Sequence, residues 1–551
     1  MEQVDRLNRP VQTIFWLFLG FTMLLFAAKP IADPDFWWHL DSGRRMWEQG
    51  WLIDTSAFQG SNRARADLIL HGYWLWEIVA FGLYKTLGYW GIFLLKALTV
   101  SAIAWAVLWR MFKLEVKPGV MMLVCTLGFV IFEQCYYLER PQIFSFLFAA
   151  VLLGFFDQVR QKEKLDPLLI PLMILWGNIH GGVVVGDLLL MLFGAGMAWE
   201  WRKRKRDLCT LLFWVAGGIA GSLLQPNTYH LFSIFFDFSS DRSIYSMISE
   251  YDSTFALFSR KEYGVAGLWL LISVHAAALL SSKNKWLPDI LIFGFLAVFS
   301  LKYFRNIGFF AVSMLPASAY YINKVLVDEN ILRTLKIFST IAIVFLSIID
   351  VKQHRLKMID DGFPRKMSDF LLANKIQGNM LNDYTWGGYL LWRLHPTYQP
   401  LVDGRILDID TFKKYMRFLL SSSHKNDFAN EQIQNLTDLD IDFIVFSDYV
   451  AINTFLEMHG KMIESGHWIP VYSDDNGYIL VKSSDMNANT IKRFGMNVKT
   501  FYGDVLRVLD KKIEESPSDE TYATARATVL DHLRAIEQAN PSLSKPDIPG
   551  E

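Results

Sequence analysis

Eleven apolar stretches, most of them joined by short loops, constrain this chain more than any other feature. They run over 11–30, 89–110, 119–137, 142–156, 168–178, 182–199, 210–224, 264–280, 288–300, 307–321 and 335–349. A helix crossing a bilayer needs about 20 consecutive apolar residues. Several stretches approach that length, and the shorter ones extend into polar flanks or cross with little tilt. The residues are 52% hydrophobic and 15% aromatic, too apolar for a soluble enzyme of 551 residues. The expected fold class is a polytopic α-helical membrane protein. The first stretch follows Arg6 and Arg9 but is long and has no small-residue cleavage site, so it reads as a retained helix rather than a signal peptide. A net charge of -1 argues against nucleic-acid binding, which needs a basic face. Cys125, Cys135 and Cys209 lie in or beside apolar runs and form neither a disulfide framework nor a zinc pattern.

The basic loops set the topology. Arg110, Lys113 and Lys117 share one loop, and Arg160, Lys162 and Lys164 another; 202–206 is a third cluster, and Lys283 and Lys285 a fourth. The segment 74–86 decides their side, because it is short, carries Glu77 and Lys85, and reads either as a span or as a helix lying on the interface. If it does not cross, all four clusters are cytoplasmic together with Arg6 and Arg9, as the positive-inside bias requires. The expectation is therefore about eleven spans, N-terminus in and C-terminus out. The polar helix ends then gather on the outer face: Asp33, Asp35 and His39, Glu139 and Arg140, Asn178 and His180, Gln225 and Asn227, Arg305 and Asn306. The loop 229–263 joins them, with Asp237, Asp241, Arg242, Glu250 and Asp252. A site on that face is the simplest reason for such a convergence.

After residue 349 the hydropathy falls and stays low. The runs 400–404 and 442–446 read as buried strands, 379–389 as a short apolar run entering a Gly-Gly turn, and 468–472 with 477–481 as a hairpin. Residues 411–420 have helical spacing, so the region around 360–483 reads as a small α/β domain. From 497 to 539 the pattern is helical with a break near Pro517. The expected division is a membrane unit over 1–350, with a first outer loop over 31–88, an α/β domain over 351–490 and a helical tail over 491–551.

Several motifs carry chemistry. Asp33 and Asp35 lie just past an apolar helix and are followed at once by Phe36, Trp37, Trp38 and His39. A partly desolvated carboxylate there can take a proton from a hydroxyl, and an Asp-x-Asp pair can also hold a divalent metal. The Asp-Pro step alone equally ends a helix by making a turn. Pro141 suits the start of the next helix, while Arg140 can hold a phosphate, pair with Glu139 or snorkel. The run Trp176-Gly177-Asn178-Ile179-His180-Gly181-Gly182 interrupts an apolar stretch, which fits the wall of a polar cavity as well as a tight turn. Glu250 and Arg305 are further loop and helix-end candidates. The run 202–206 reads as a topology signal or an anionic-lipid contact.

These motifs occur in a particular order. Asp33-Pro34-Asp35-x-Trp37-Trp38-His39-Leu40 with Gly43, Arg140-Pro141-Gln142, Asn178-x-His180-Gly181-Gly182, Asn382-Asp383-Tyr384-x-Trp386-Gly387-Gly388-Tyr389 and Asp403-Gly404-Arg405 follow one another along most of 10–483. The combination resembles a group of bacterial multi-pass proteins usually placed with the GT-C glycosyltransferases. The resemblance implies a bacterial inner-membrane protein with a periplasmic α/β domain, and an inverting transfer of a sugar from a polyprenyl-phosphate carrier at the outer face. The acceptor class (lipid, glycan or protein) stays open. It also implies an essential acidic residue in the first outer loop, here Asp35 or Asp33, and basic residues on the lipid phosphate, for which Arg140, His180 and Arg305 are the candidates. His39, Asn178 and Glu250 complete the expected substrate-binding set. No cofactor is certain; magnesium or manganese on the Asp-x-Asp pair is the open case. The 384–389 segment is similar to the Trp-Trp-Asp-Tyr-Gly region of oligosaccharyltransferases but lacks the paired Trp, so peptide recognition does not carry over. The alternative reading is a non-catalytic GT-C-like scaffold in an envelope-polysaccharide or export assembly. A transporter is disfavoured because the polar residues lie at one face rather than at the midplane.

Overall fold

The computed structural model describes residues 2–50, 52–58, 60–133, 139–233, 249–326, 328–353, 358–420, 436–447, 460–517 and 520–539. Cys135, Asp237, Asp241 and Arg242 lie outside the described residues. The protein is mostly helical and divides into two units, one of Met1–Asp33 with Ser42–Ile359, the other of Pro34–Asp41 with Asp360–Glu551.

The first unit is a helical assembly. In order it contains α1 (Glu2–Ala27), α2 (Pro34–Gln49, of which Pro34–Asp41 belong to the second unit), α3 (Gly60–His71), α4 (Trp74–Leu87), α5 (Tyr89–Lys113), α6 (Pro118–Phe132), α7 (Gln142–Lys162), α8 (Leu169–Ile179), α9 (Val183–Glu200) and α10 (Lys205–Ser222). Then follow α11 (Thr254–Ser259), α12 (Ala266–Ser281), α13 (Leu287–Lys302), α14 (Ile307–Val325) and α15 (Glu329–Gln353). The described part of each apolar stretch falls mainly on one of these helices. Arg9–Ala27, Tyr89–Lys113, Gln142–Lys162, Val183–Glu200 and Glu329–Val351 are long and apolar enough to cross a bilayer. Pro118–Phe132, Leu169–Ile179, Asp207–Ser222 and Ala266–Ser281 are shorter apolar helices. The segment α4 has 14 residues, α6 has 15 and α8 has 11; at 1.5 Å per residue each is shorter than a hydrocarbon core of about 30 Å, so length alone does not separate α4 from the spans. Helix α4 buries Trp76, Glu77, Ala80 and Phe81 and leaves Val79 and Leu87 exposed.

At the centre of the unit lies α14, packed by α5, α6, α7, α12 and α13 and buried nearly all round. Its small residues, among them Gly308, Ala311, Ser313, Ala317 and Ala319, let five neighbours approach; a helix apolar on every side belongs in a core. On α1, α5 and α15 the large side chains Leu17, Leu98, Ile341 and Phe345 are exposed, a surface that suits lipid rather than water. Two largely buried arginines of the unit are paired with carboxylates. Arg110 donates from Nε to Asp157 Oδ2 at 2.7 Å and from Nη1 to the Ser313 carbonyl at 3.2 Å. Arg160 pairs with Asp289, which also accepts from the Tyr321 hydroxyl at 2.7 Å. Removing one member of such a pair strands the other in a poorly solvated place.

The second unit is built on a mixed four-stranded sheet in the order β1 (Met380–Asn382), β2 (Phe443–Phe446), β4 (Tyr478–Lys482), β3 (Trp468–Ser473). β1 and β2 run parallel, whereas β4 is antiparallel to both β2 and β3. Around it are α16 (Arg365–Asn374), α17 (Gly387–Leu394), α18 (Ile409–Leu420), α19 (Lys461–Glu464) and α20 (Ala488–Phe494). The hairpin and the helix over 411–420 stand where the periodicity puts them. Two local expectations are corrected. Residues 400–404 form no strand among the described residues, only a single bridge between Met380 and Pro400. There the Asn382 side chain takes the backbone groups a strand partner would use: its Oδ1 accepts from Leu401 N–H at 2.7 Å and its Nδ2 donates to the Val402 carbonyl at 2.8 Å. The Gly-Gly pair is not a turn but the first turn of α17. The tail is α21 (Val498–Glu515) and α22 (Glu520–Ala539); α21 buries Phe501, Tyr502, Val505, Val508 and Leu509, one face of a helix at 3.6 residues per turn.

Candidate active site

In the first unit, the chain leaving α1 is pinned where Ile31 N–H donates to the Met358 carbonyl at 3.0 Å. This delivers Asp33, whose side chain is wholly enclosed, to Arg140: the guanidinium Nε donates to Asp33 Oδ2 at 2.5 Å. Arg140 Nη2 also reaches Glu250 Oε1 at 3.2 Å, so one guanidinium bridges two carboxylates. Pro141 follows and α7 begins, as a proline at a helix start allows. Glu139 pairs not with Arg140 but with Lys96 of α5, at 2.6 Å, and both are buried. Lys96 donates as well to the Lys29 carbonyl at 2.8 Å. Lys96 was not among the expected residues. Its signal was available, since a lone lysine inside the apolar run 89–110 is a functional candidate by default.

His180 occupies the break between α8 and α9. Its Nδ1 accepts from the Gly182 N–H at 2.9 Å and lies 2.7 Å from Ser145 Oγ, which itself accepts from Trp176 Nε1 at 2.8 Å. A backbone N–H can only donate, so Nδ1 is the unprotonated nitrogen and the ring proton sits on Nε2. Burial first, then the nearby guanidinium groups of Arg305 and Arg140, push the His180 pKa down to about 3. His180 is thus a neutral N–H donor and not the third cation that the basic-residue expectation implied. Tyr73 lies against its ring at 5.4 Å.

Arg305 stands in the short 3-10 turn Phe304–Asn306 between α13 and α14. Its guanidinium lies 4.8 Å above the Tyr251 ring and donates to the Tyr251 hydroxyl, and its carbonyl accepts from Gln142 Nε2 at 3.2 Å. Burial works against its charge, but Tyr251 and Glu250 outweigh that and raise its pKa. Asn178 ties helices together: Oδ1 accepts from Trp74 Nε1 at 3.0 Å, and Nδ2 donates to the Ile174 and Leu224 carbonyls, each at 2.8 Å. The first unit therefore brings Asp33, Arg140, Glu250, His180 and Arg305 into one electrostatic neighbourhood.

A partly open apolar cavity lies in the same unit. Leu19 and Phe26 of α1, Val100 of α5, Phe129 of α6, Phe146 of α7 and Leu315 of α14 line it. Arg305 is the one charged residue among its described lining.

Asp35 and His39 belong to the second unit. Pro34 opens α2, and Asp35 lies in its first turn, where the helix dipole favours a carboxylate. The Asp-Pro step thus starts a helix as well as following one. Trp37 is fully buried, edge-on to Phe363 at 5.3 Å and to Tyr389 at 4.9 Å; such pairs add roughly 0.5–1.5 kcal/mol each beyond burial. Trp38 stacks on buried His39 at 3.5 Å. Asp403 clamps Arg405 through two contacts, Nε to Oδ1 at 2.9 Å and Nη2 to Oδ2 at 2.6 Å.

Among the described residues no three His, Cys, Asp or Glu side chains gather where they could hold a metal ion. Asp33, one half of the Asp-x-Asp pair, is committed to Arg140. No known protein family matches the chain, and no curated protein does. Among solved structures, ArnT from Cupriavidus metallidurans, crystallised with bound undecaprenyl phosphate, is similar at 10% sequence identity and a TM-score of 0.45, over 88% of this chain and 99% of that one.

Proposed function

We propose that the protein is an inverting glycosyltransferase of a bacterial inner membrane, taking a sugar from a polyprenyl-phosphate carrier at the outer face. The observation that carries this reading is the apolar cavity of the first unit with Arg305 in its lining and Arg140 and neutral His180 nearby. An isoprenoid chain needs an apolar channel, and a phosphate needs guanidinium groups and N–H donors in a poorly solvated place. Arg305 and Arg140 hold the phosphate by charge, while His180 adds a hydrogen bond from Nε2. Tyr251, Glu250 and Asp33 keep the guanidinium groups oriented.

In the reaction, an acceptor hydroxyl gives its proton to a carboxylate as its oxygen bonds to the anomeric carbon. The bond from that carbon to the phosphate oxygen breaks on the opposite face, and the electron pair leaves with the phosphate. The same guanidinium groups that bind the phosphate stabilise the charge that develops on it. We assign the proton to Asp35, because Asp33 already serves Arg140. The orientation follows from the basic loops, with the N-terminus inside and the C-terminus outside.

The test is turnover of a panel of undecaprenyl-phosphate-linked monosaccharides by the purified full-length protein. The expected result is release of undecaprenyl phosphate with inversion at the anomeric carbon, lost at least 100-fold in Asp35→Asn, a change of about 2.7 kcal/mol in barrier. Asp33→Asn is expected to weaken donor binding more than the chemical step. Full turnover in both variants would refute the acid–base assignment.

A further inference from the structure

The Trp-Gly-Gly-Tyr and Asp-Gly-Arg motifs have no part in the steps above, yet within the second unit they meet the Asp35 segment. A side chain at Gly388 would come within 2.5 Å of the Pro34 carbonyl oxygen and 3.3 Å of the Trp38 nitrogen, so the bare backbone of α17 lies directly against the start of α2. At Gly404 a Cβ would strike the Asp35 carboxylate, and at Gly387 the Val402 carbonyl. Arg405, locked by Asp403, holds its guanidinium 6.0 Å from the Trp38 ring, and Trp37 is wedged against Phe363 and Tyr389. Asn382 fixes the backbone at Leu401 and Val402, just before the Asp-Gly-Arg turn.

We propose that this surface of the α/β unit is a seat that sets the Asp35 carboxylate, with Gly388 and Gly404 as positioning residues for proton transfer. The inference rests on the reading of Asp35 as the base. It accounts for the two motifs together: Gly388 is needed so that a backbone can approach, and Gly404 so that a carboxylate can. The two glycines also fail differently. A methyl at Gly388 pushes on backbone and lifts the segment from its seat. A methyl at Gly404 meets only the end of the Asp35 side chain, so it turns the carboxylate away and leaves the fold in place.

Hydrogen–deuterium exchange of the full-length protein in nanodiscs separates these effects. Gly388→Ala should raise exchange in a peptide covering 34–41 at least tenfold, and Gly404→Ala should leave it at the wild-type level. If Gly388→Ala does not fold, Trp37→Leu takes its place and should raise exchange in the same peptide. With an undecaprenyl-phosphate-linked monosaccharide that the wild type turns over, Gly404→Ala should lower kcat at least tenfold with KM for the donor unchanged. Wild-type exchange in both Gly388→Ala and Trp37→Leu, or wild-type kcat in Gly404→Ala, would overturn the seat. If the wild type turns over no donor, the glycosyltransferase reading falls and the exchange experiment alone decides the seat.

Discussion

Lys96 holds two sides of the Asp33–Arg140 pair at once: through the Lys29 carbonyl it fixes the chain leading to Asp33, and through Glu139 the residue before Arg140. Lys96→Met leaves Glu139 buried with no counter-charge, which costs about 3–5 kcal/mol. Replacing both, as Lys96→Met with Glu139→Leu, should recover most of the lost thermal stability. Equal unfolding temperatures for the wild type and Lys96→Met would show that the pair contributes nothing. His180 gives a prediction in pH. Its folded pKa of about 3 lies below the unfolded value of about 6.5, so below pH 6.5 the unfolded chain binds a proton that the folded chain refuses. The contribution is neutral above pH 6.5 and destabilises progressively as pH falls toward 3. His180→Gln, which does not titrate, should show a shallower loss of unfolding temperature between pH 6.5 and pH 4; identical slopes would mean that His180 is not held neutral. The candidate residues were legible as types, because charges and histidines are conspicuous beside apolar runs. Their pairing was not, since Arg140 passes over its neighbour Glu139 for Asp33 and Glu250, which are distant in sequence.

Among the elements, α14 and the helices around it were legible from hydropathy alone, while the cavity they enclose was not. A void depends on which side chains fail to meet, and periodicity carries no record of that. Ala104 lines the cavity from α5 and is only half-buried, so a larger side chain has somewhere to grow. Ala104→Trp should weaken undecaprenyl phosphate binding at least tenfold, about 1.4 kcal/mol, with the unfolding temperature within a few degrees of wild type. Unchanged binding would place the lipid elsewhere. The second unit shows the same limit at shorter range. β2 and the hairpin are legible because strand residues buried on both faces read as apolar runs. The 400–404 run has the same look but is not a strand, because one side chain, Asn382, takes its hydrogen bonds. The Asp-Pro step on its own reads as a turn that ends α1, yet Pro34 also begins α2; a proline fits either place, and only the chain beyond it decides.

For the whole molecule, composition alone marked a membrane protein, and the exposed apolar faces of α1, α5 and α15 agree with that. The orientation rests on the basic loops, and it is testable by reporter fusion: one placed after Arg206 should report the cytoplasm, and one after Ala539 the periplasm. A periplasmic signal after Arg206 would reverse the topology. The function depends on one central claim, that the apolar cavity with Arg305 in its lining holds a prenyl phosphate. Native mass spectrometry of the full-length protein with added undecaprenyl phosphate tests it most directly. The prediction is one lipid bound per chain, with affinity at least tenfold weaker in Arg305→Ala. Equal occupancy in the wild type and Arg305→Ala, or none in either, would contradict it.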